Sequence, residues 1–463
     1  MDFRAKEMNT YAKRMHHLLP LHMLQSGTSN PYLCTCLSKK TMMKTLQDHD
    51  VKIFTNNIET TALEQIERLL SIPVFGNCKI RIMPDVHAGA GCVIGFTGDL
   101  GDKVIPNIVG VDIGCGILVQ AFANTGKIDY HALNEFILHH IPSGRNYRDN
   151  NYAPLPQKHM DAYRESKALI KQLRCYRELK ETKRLNLSIG SLGGGNHFIE
   201  LDKDETGLYY LVVHTGSRNL GKQVAQIYQK LAVKCQSGWG ELMKEQERLI
   251  AEYKQAGRKN ELQGAIRDLH NSFKMRKPTI PPDLAYLEGN FREDYLHDMR
   301  LCQQWAKINR RMISELLMDY LITQGATALK DAGLGFESVH NYISDDNIIR
   351  KGAISANAGE KCIIPLNMRD GSLICIGKGN EDWNRSAPHG AGRIMSRSQA
   401  FQQINMEDYR QSMEGIYSES LSEQTKDESP MVYKPKEEIL RNIEETVTVV
   451  NIIKPVYNFK AAE

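Results

Sequence analysis

Leu208–Gly221 reads LYYLVVHTGSRNLG. Its first six residues are apolar or aromatic and form a buried strand. The strand runs straight into the polar turn His214-Thr215-Gly216-Ser217-Arg218. Residues 222–275 follow, rich in Lys, Glu, Gln, Arg and Leu with little Pro, and read as long solvated helices. A strand, a chemically loaded turn and helices in succession define an α/β or α+β chain with polar groups at strand ends.

Working outward, a second strand-turn unit spans Leu185–Leu201, preceded by a charged helical stretch over 154–187. Thr60–Ile72 forms an amphipathic helix, with Leu63, Ile66, Leu69 and Leu70 on one face. Short strands are expected at Ile80–Ile82, Val93–Phe96 and Gly116–Val119, bounded by Gly, Pro and Asp. After the break at Pro278–Pro282 a helix is expected over Glu293–Tyr320. Residues 335–400 return to strands and glycine-rich turns. The Ser- and Glu-rich segment 411–430 reads as a surface loop, and Val447–Lys460 as strand broken by Pro455. Residues 1–50 read as an N-terminal extension. Residues 51–463 read as the main domain, including the helical stretch about 222–320.

The chain has 463 residues, with 59 Lys and Arg against 55 Asp and Glu, a net charge of +4. That balance neither announces nor excludes a nucleic-acid partner. A hydrophobic share of 41% with 25% charged residues fits a folded globular protein. No apolar run reaches the ~20 residues of a membrane span, and Met1–Thr10 lacks a signal-peptide core. A cytoplasmic protein is expected. Ten cysteines are too few for a disulfide scaffold. Cys34-Thr35-Cys36 has no second pair at zinc-finger spacing.

Six motifs carry possible chemistry. In Gly110–Gly116, Asp112 and Cys115 lie three apart on a tight loop. They either offer carboxylate and thiolate to a Zn, Mn, Fe or Co ion, or form a turn with a buried Cys. Gly190–Glu200 lacks the Lys-Ser/Thr of a P-loop and the spacing of a dinucleotide fold. It is either a backbone cradle for phosphate or a hairpin turn. His214 can ligate metal and Arg218 can fork onto phosphate, or His214 is structural. His340-Asn341, followed by Arg350-Lys351-Gly352, and Met83–Gly89 pose the same choice. So does Pro388–Arg393, where His389 beside an arginine can attack phosphorus. Together they suggest two metals and a phosphate substrate, and leave the reaction open.

Taken in order, Met83–His87, Asp112–Gly116, Gly195–Phe198, His214–Arg218, His340-Asn341, Arg350–Ala353 and His389–Arg393 resemble the RtcB family of RNA ligases. The resemblance runs from about Val51 to Lys460. It implies an α/β fold that is neither Rossmann nor P-loop. It also implies GTP- and Mn²⁺-dependent joining of an RNA 3′-phosphate, or 2′,3′-cyclic phosphate, to a 5′-hydroxyl. By resemblance, Asp112, Cys115 and His197 hold one Mn²⁺. Cys115 bridges to a second, held also by His214 and His340. His389 matches the histidine that bonds to GMP. Nucleotide contacts carry over to Asn196, His197, Phe198, Ile199 and Glu200, and to His340 and Asn341. They also carry over to Pro365, Leu366, Asn367, Met368, Ser372, Gly390, Ala391, Gly392 and the guanine-reading Lys460. Arg218, Lys351, Arg393 and Arg397 are implied contacts to RNA phosphate or triphosphate.

The chain departs from the family pattern in places. Pro388 stands where many members have Cys, Asn219 where Gly is usual, and Leu366–Asp370 where Gly-Ser-Met-Gly-Thr is usual. Three alternatives stand beside ligation: a metal-dependent phosphohydrolase or nuclease, a 3′-phosphate capping enzyme, and a non-catalytic RNA-end-binding protein.

Overall fold

The strand Tyr209–Thr215 lies antiparallel between Gly116–Asn124 and Phe198–Lys203. The structure, a computed structural model, describes residues 44–45, 49–329 and 335–461. Most of the 1–50 extension, with Cys34 and Cys36, lies outside them. Among the described residues this sheet has eight strands. On one side Ala326–Ala328 and Gly335–Val339 pair with Gly116–Asn124. On the other, Val447–Lys460, Gly371–Gly377 and Lys361–Asn367 follow Phe198–Lys203. A second sheet of six strands joins Lys44–Thr45, Val51–Ile53, Ile80–His87, Ile94–Gly98, Ile349–Lys351 and Tyr342–Ile343. The architecture is α+β without a closed barrel, as the sequence leads one to expect.

The eight-stranded sheet places the site through its side-chain alternation. Ile199, Leu201, Leu211 and Val213 face a core completed by Ile313, Leu317 and Leu321 of the helix Gly289–Thr323. Phe198, Glu200 and His214 therefore face the other way. The helix Gly289–Thr323 has 35 residues and spans about 52 Å. It extends the expected Glu293–Tyr320 by about a turn at each end. Its Trp305 and Tyr295 are fully buried, and so are three polar residues, Asp298, Asn309 and Arg310. The expected helices in 222–275 are Arg218–Gln236, Trp239–Gln255 and Leu262–Ser272. The expected Thr60–Ile72 helix is Thr60–Leu70.

Three expectations need correction. Thr182–Leu187 is helix, so the strand expected from Leu185 begins only at Phe198. Pro455 does not break the last strand. A bulge between Pro455 and Tyr457 accommodates the missing N–H, just after the strand has changed partners. Residues up to Ile453 pair with Gly371–Gly377, and those from Lys454 onward with Phe198–Lys203. Segment 411–430 is a surface loop only in part: its end forms the short helix Glu423–Glu428, in which Thr425, Asp427 and Glu428 are buried. No described helix is long and apolar enough to cross a membrane.

Arg310 binds two strand-end turns into this frame. Its Nη1 donates to the carbonyls of Gly114 (2.7 Å) and Thr215 (2.9 Å), and its Nε pairs with Glu337. The guanidinium is only 1% exposed. Truncating one member of a buried ion pair costs about 3–5 kcal/mol. Arg310→Met is therefore expected to lower the calorimetric unfolding temperature by several degrees. An unchanged temperature would show that the pairing carries no stability.

Candidate functional site

Five side chains from four separate segments converge at one end of the eight-stranded sheet. The turn Asp112–Cys115 precedes the strand that starts at Gly116. His197 precedes Phe198, His214 lies one residue from the end of its strand, and His340 follows Val339. Cys115 Sγ lies 3.3 Å from His197 Nε2 and 3.3 Å from His214 Nε2. The donor atoms of these three residues all lie within 4.8 Å of one another. Asp112 Oδ2 is 3.0 Å from His197 Nε2, and His340 Nε2 is 3.5 Å from His214 Nε2. The donors thus form a row: Asp112, His197, Cys115, His214, His340. The thiolate position is at its centre.

The donor chemistry fits metal ions. Burial, with neighbouring His197 and His389, holds His214 well below the usual imidazole range. Burial and the adjacent His389 and His214 do the same to His340. Both rings are therefore neutral at pH 7, the ligating state. His214 Nδ1 donates to the carbonyl of Asn196 at 3.0 Å, which leaves Nε2 with its lone pair toward the cluster. Burial and Asp112 push the Cys115 thiol well above the usual range. That cost falls away once a cation sits on the sulfur. Burial opposes ionisation of Asp112, but the contact with His197 holds its carboxyl below the usual range.

The backbone around this row leaves no room for larger residues at two points. Gly193 has φ +100°, and a Cβ there would strike both His197 Nδ1 and the Arg218 guanidinium. A Cβ at Gly216 would strike the Asp112 carboxylate. Asn309 Oδ1 accepts from Gly190 N (2.8 Å) and Ser191 N (3.2 Å), and its Nδ2 donates to the carbonyls of Ser191 and Gly216. Asn309 and Arg310 escaped the sequence reading. They sit mid-helix, with no spacing that ties them to the motifs they support.

His389 lies next in the row, with its ring centroid 4.8 Å from that of His340. Its Nδ1 is 2.7 Å from Asp85 Oδ2, and its backbone N–H donates to the same oxygen at 3.1 Å. Asp85 is fully buried. A carboxylate oxygen accepts, so Nδ1 is the donating nitrogen and Nε2 stays outside this contact. The motif Met83–His87 contains Asp85, but only the fold shows what it does.

His389 and His214 line a cavity of about 660 Å³. Of the expected nucleotide contacts, Asn196, Phe198, Glu200, Pro365, Leu366, Asn367, Met368, Gly390, Ala391, Gly392 and Lys460 line it too. Arg393 and Arg397 are at its wall, as are Tyr433 and His87, which the sequence reading had not assigned. Several expected residues lie elsewhere. Ile199 is in the core behind the sheet. Ser372 is buried in its strand opposite Pro365 and Ile453. Asn341 takes φ +63° and clips loops together. Its Nδ2 donates to Asp112 O, and its Oδ1 accepts from Gly352 N. Arg218 donates to Ser191 Oγ and Gly144 O, bracing the glycine loop. Lys351 is buried, with its ammonium on the carbonyls of Ala90 and Asn107 (2.5 and 3.0 Å), so its charge is used inside the fold.

The departing loop is satisfied within itself: Asn367 Oδ1 accepts from Arg369 N (3.0 Å) and Asp370 N (2.8 Å). Lys460 is no solvated terminal charge. Its Nζ is 2.5 Å from Glu428 Oε2, which also accepts from Tyr433 Oη at 2.7 Å. Arg393 reaches the other Glu428 oxygen at 3.4 Å, and Arg397 pairs with Asp427 and Glu428. Burial opposes its charge, yet Lys460 and Arg393 hold the Glu428 carboxyl down to about 2.

A family model described as tRNA-splicing ligase RtcB matches residues 65–461. The chain belongs to the RtcB family. The RNA-splicing ligase RtcB of Escherichia coli K12 is 30% identical over 440 residues, covering 89% of this chain and 97% of that protein. The tRNA-splicing ligase RtcB of Aeropyrum pernix is 25% identical over 436 residues, covering 76% and 81%. That of Archaeoglobus fulgidus is 23% identical over 458 residues, covering 83% and 87%.

Two outcomes follow for this RtcB-family site. A divalent metal ion held at Cys115 would displace the thiol proton, so affinity for such an ion is expected to rise about tenfold per pH unit through neutrality. Calorimetry in buffers of different ionisation enthalpy reads the released proton, and Cys115→Ser should remove it. The Glu428 carboxyl is depressed from 4.5 to about 2, so its stabilisation is full above pH ~4.5 and fades as pH falls toward 2. Glu428→Gln should flatten acid unfolding in that window, as followed by circular dichroism.

Proposed function

We propose that this protein is an RNA ligase. It joins a 3′-phosphate, or a 2′,3′-cyclic phosphate after opening, to a 5′-hydroxyl, with GTP as the activating nucleotide. The observation that carries the reading is His389, which bridges the row of metal donors and the nucleotide-sized cavity. Family membership supports the RNA substrate.

Asp112, Cys115 and His197 would hold one Mn²⁺, and Cys115, His214 and His340 a second. A thiolate at the centre of the row has lone pairs for both. When bound, the ions supply positive charge to neutralise phosphoryl oxygens and leaving groups. Asp85 holds the His389 ring with Nδ1 protonated, so Nε2 presents its lone pair for attack. Nε2 bonds to the α-phosphorus of GTP as the bond to the β-phosphate bridging oxygen breaks and pyrophosphate leaves. The Asp85 carboxylate, which accepts from Nδ1–H, offsets the positive charge that develops on the ring. An RNA 3′-phosphate oxygen then takes the GMP, and the P–N bond breaks. The 5′-hydroxyl attacks that activated phosphate, loses its proton and expels GMP. Without the cap the leaving group would be oxide, which no site charge makes easy. The enclosed Lys460 and the cavity-lining Glu200 offer a donor and an acceptor to a guanine edge.

Incubation with α-³²P-GTP and Mn²⁺ is expected to leave acid-labile label on the protein, and His389→Ala to abolish it. Asp85→Asn should keep GTP binding and slow labelling by at least ~100-fold, since the ring loses its orienting base. Label that persists in His389→Ala would overturn the assignment.

A further inference from the structure

The site accounts for strand ends, but not for the helix that leaves them. Arg218–Gln236 starts at the turn after His214 and contains no acidic residue in its 19 positions. One side is packed through Leu220, Val224, Ala225, Tyr228 and Ala232. On the other, Lys222, Gln226, Lys230 and Lys234 are exposed at four-residue intervals. That spacing aligns them in a ridge on one helix face, about 18 Å from Lys222 to Lys234. Neither Lys222 nor Lys230 has an ion-pair partner among the described residues.

Both ends of the ridge are extended by further cations. At the site end, the Gln223 side chain bonds the backbone N–H and carbonyl of Lys180, placing that exposed residue beside Lys222. At the far end, Arg276 N donates to Ser237 O at 2.9 Å, which returns the exposed segment Lys274–Lys277 to the foot of the helix. Lys234 lies 5.5 Å over the Trp239 ring, whose edge meets His270. Residues 222–277 hold twelve Lys and Arg against six Asp and Glu, a net of +6 where the whole chain has only +4. The helices Trp239–Gln255 and Leu262–Ser272 bury a single residue, Leu242, so the core gives no reason for them.

We propose that this ridge is an RNA-backbone track: a substrate strand leaving the metal row runs along Lys222, Lys230 and Lys234 toward Lys274 and Lys277. A line of lysines without acids suits phosphates read by charge and not by sequence. The track rests on the ligase reading for its substrate and lies outside the residues that would perform the chemistry.

The test is fluorescence-anisotropy titration of a 20-nucleotide single-stranded RNA ending in a 3′-phosphate, over a range of salt. The triple variant Lys222→Gln, Lys230→Gln, Lys234→Gln should lower the slope of log K against log salt by about 2, given ~0.7 per phosphate contact on a single strand. It should weaken binding at low salt by about tenfold or more. The triple Lys→Arg variant should keep both values. A four-nucleotide RNA, too short to leave the site, should bind wild type and variant alike. GTP labelling of His389 should be unchanged in every variant, which also shows that they fold. An unchanged slope and affinity for the long RNA in the Gln variant would overturn the track, including the case in which the ridge serves an acidic protein. Failure of wild type to take GMP label would sink the ligase reading alone, since the salt slope is measured without GTP.

Discussion

The register of three antiparallel strands is the constraint on which the site depends. Gly116 pairs with Thr215, Ile117 with His214, and Phe198 with His214. That alignment brings Cys115, His197 and His214 to the same end of the sheet within bonding reach of one ion. A slip of one residue would turn His214 into the core and Val213 into the cluster. The apolar face formed by Ile199, Leu201, Leu211 and Val213 against the helix Gly289–Thr323 prevents the slip. Hydrophobic burial on one side of the sheet thus secures coordination chemistry on the other.

Around that register the protein places buried polar groups whose work is positional. Arg310 and Asn309 project from the middle of a long helix and satisfy carbonyls and amides of the turns that carry Asp112, Cys115, His197 and His214. Asp85 does the same for His389, and Glu428 for Lys460. Each such group is costly to bury alone and is stable because its partners are fixed. The outcome is a row of donors, a histidine and a cavity-wall lysine whose orientations are set by the fold itself.

The loop Asn367–Asp370 shows how a departure from family pattern can leave the cavity intact. Its side chain–backbone bonds close the turn locally, while Asn367 and Met368 still line the cavity. Pro388 ends a short strand paired with Ala353, where a missing N–H is tolerated, and delivers His389 to its place. The helices Trp239–Gln255 and Leu262–Ser272 add surface and charge while burying only Leu242.

By itself the sequence determined the elements and the chemical types. Periodicity and turn residues marked the strand ends, and the His, Asp and Cys motifs lay in the glycine-rich turns beside them. Those signals are local, so a linear reading can find them. Only the tertiary structure decided which residues act together. It joined Asp85 to His389 across 304 positions and Glu428 to Lys460 across 32. It also showed that Lys351 and Asn341 support loops, and that Ile199 belongs to the core. Such partnerships arise from sheet order and helix packing, which bring distant segments together at a cost in chain entropy that no local pattern records.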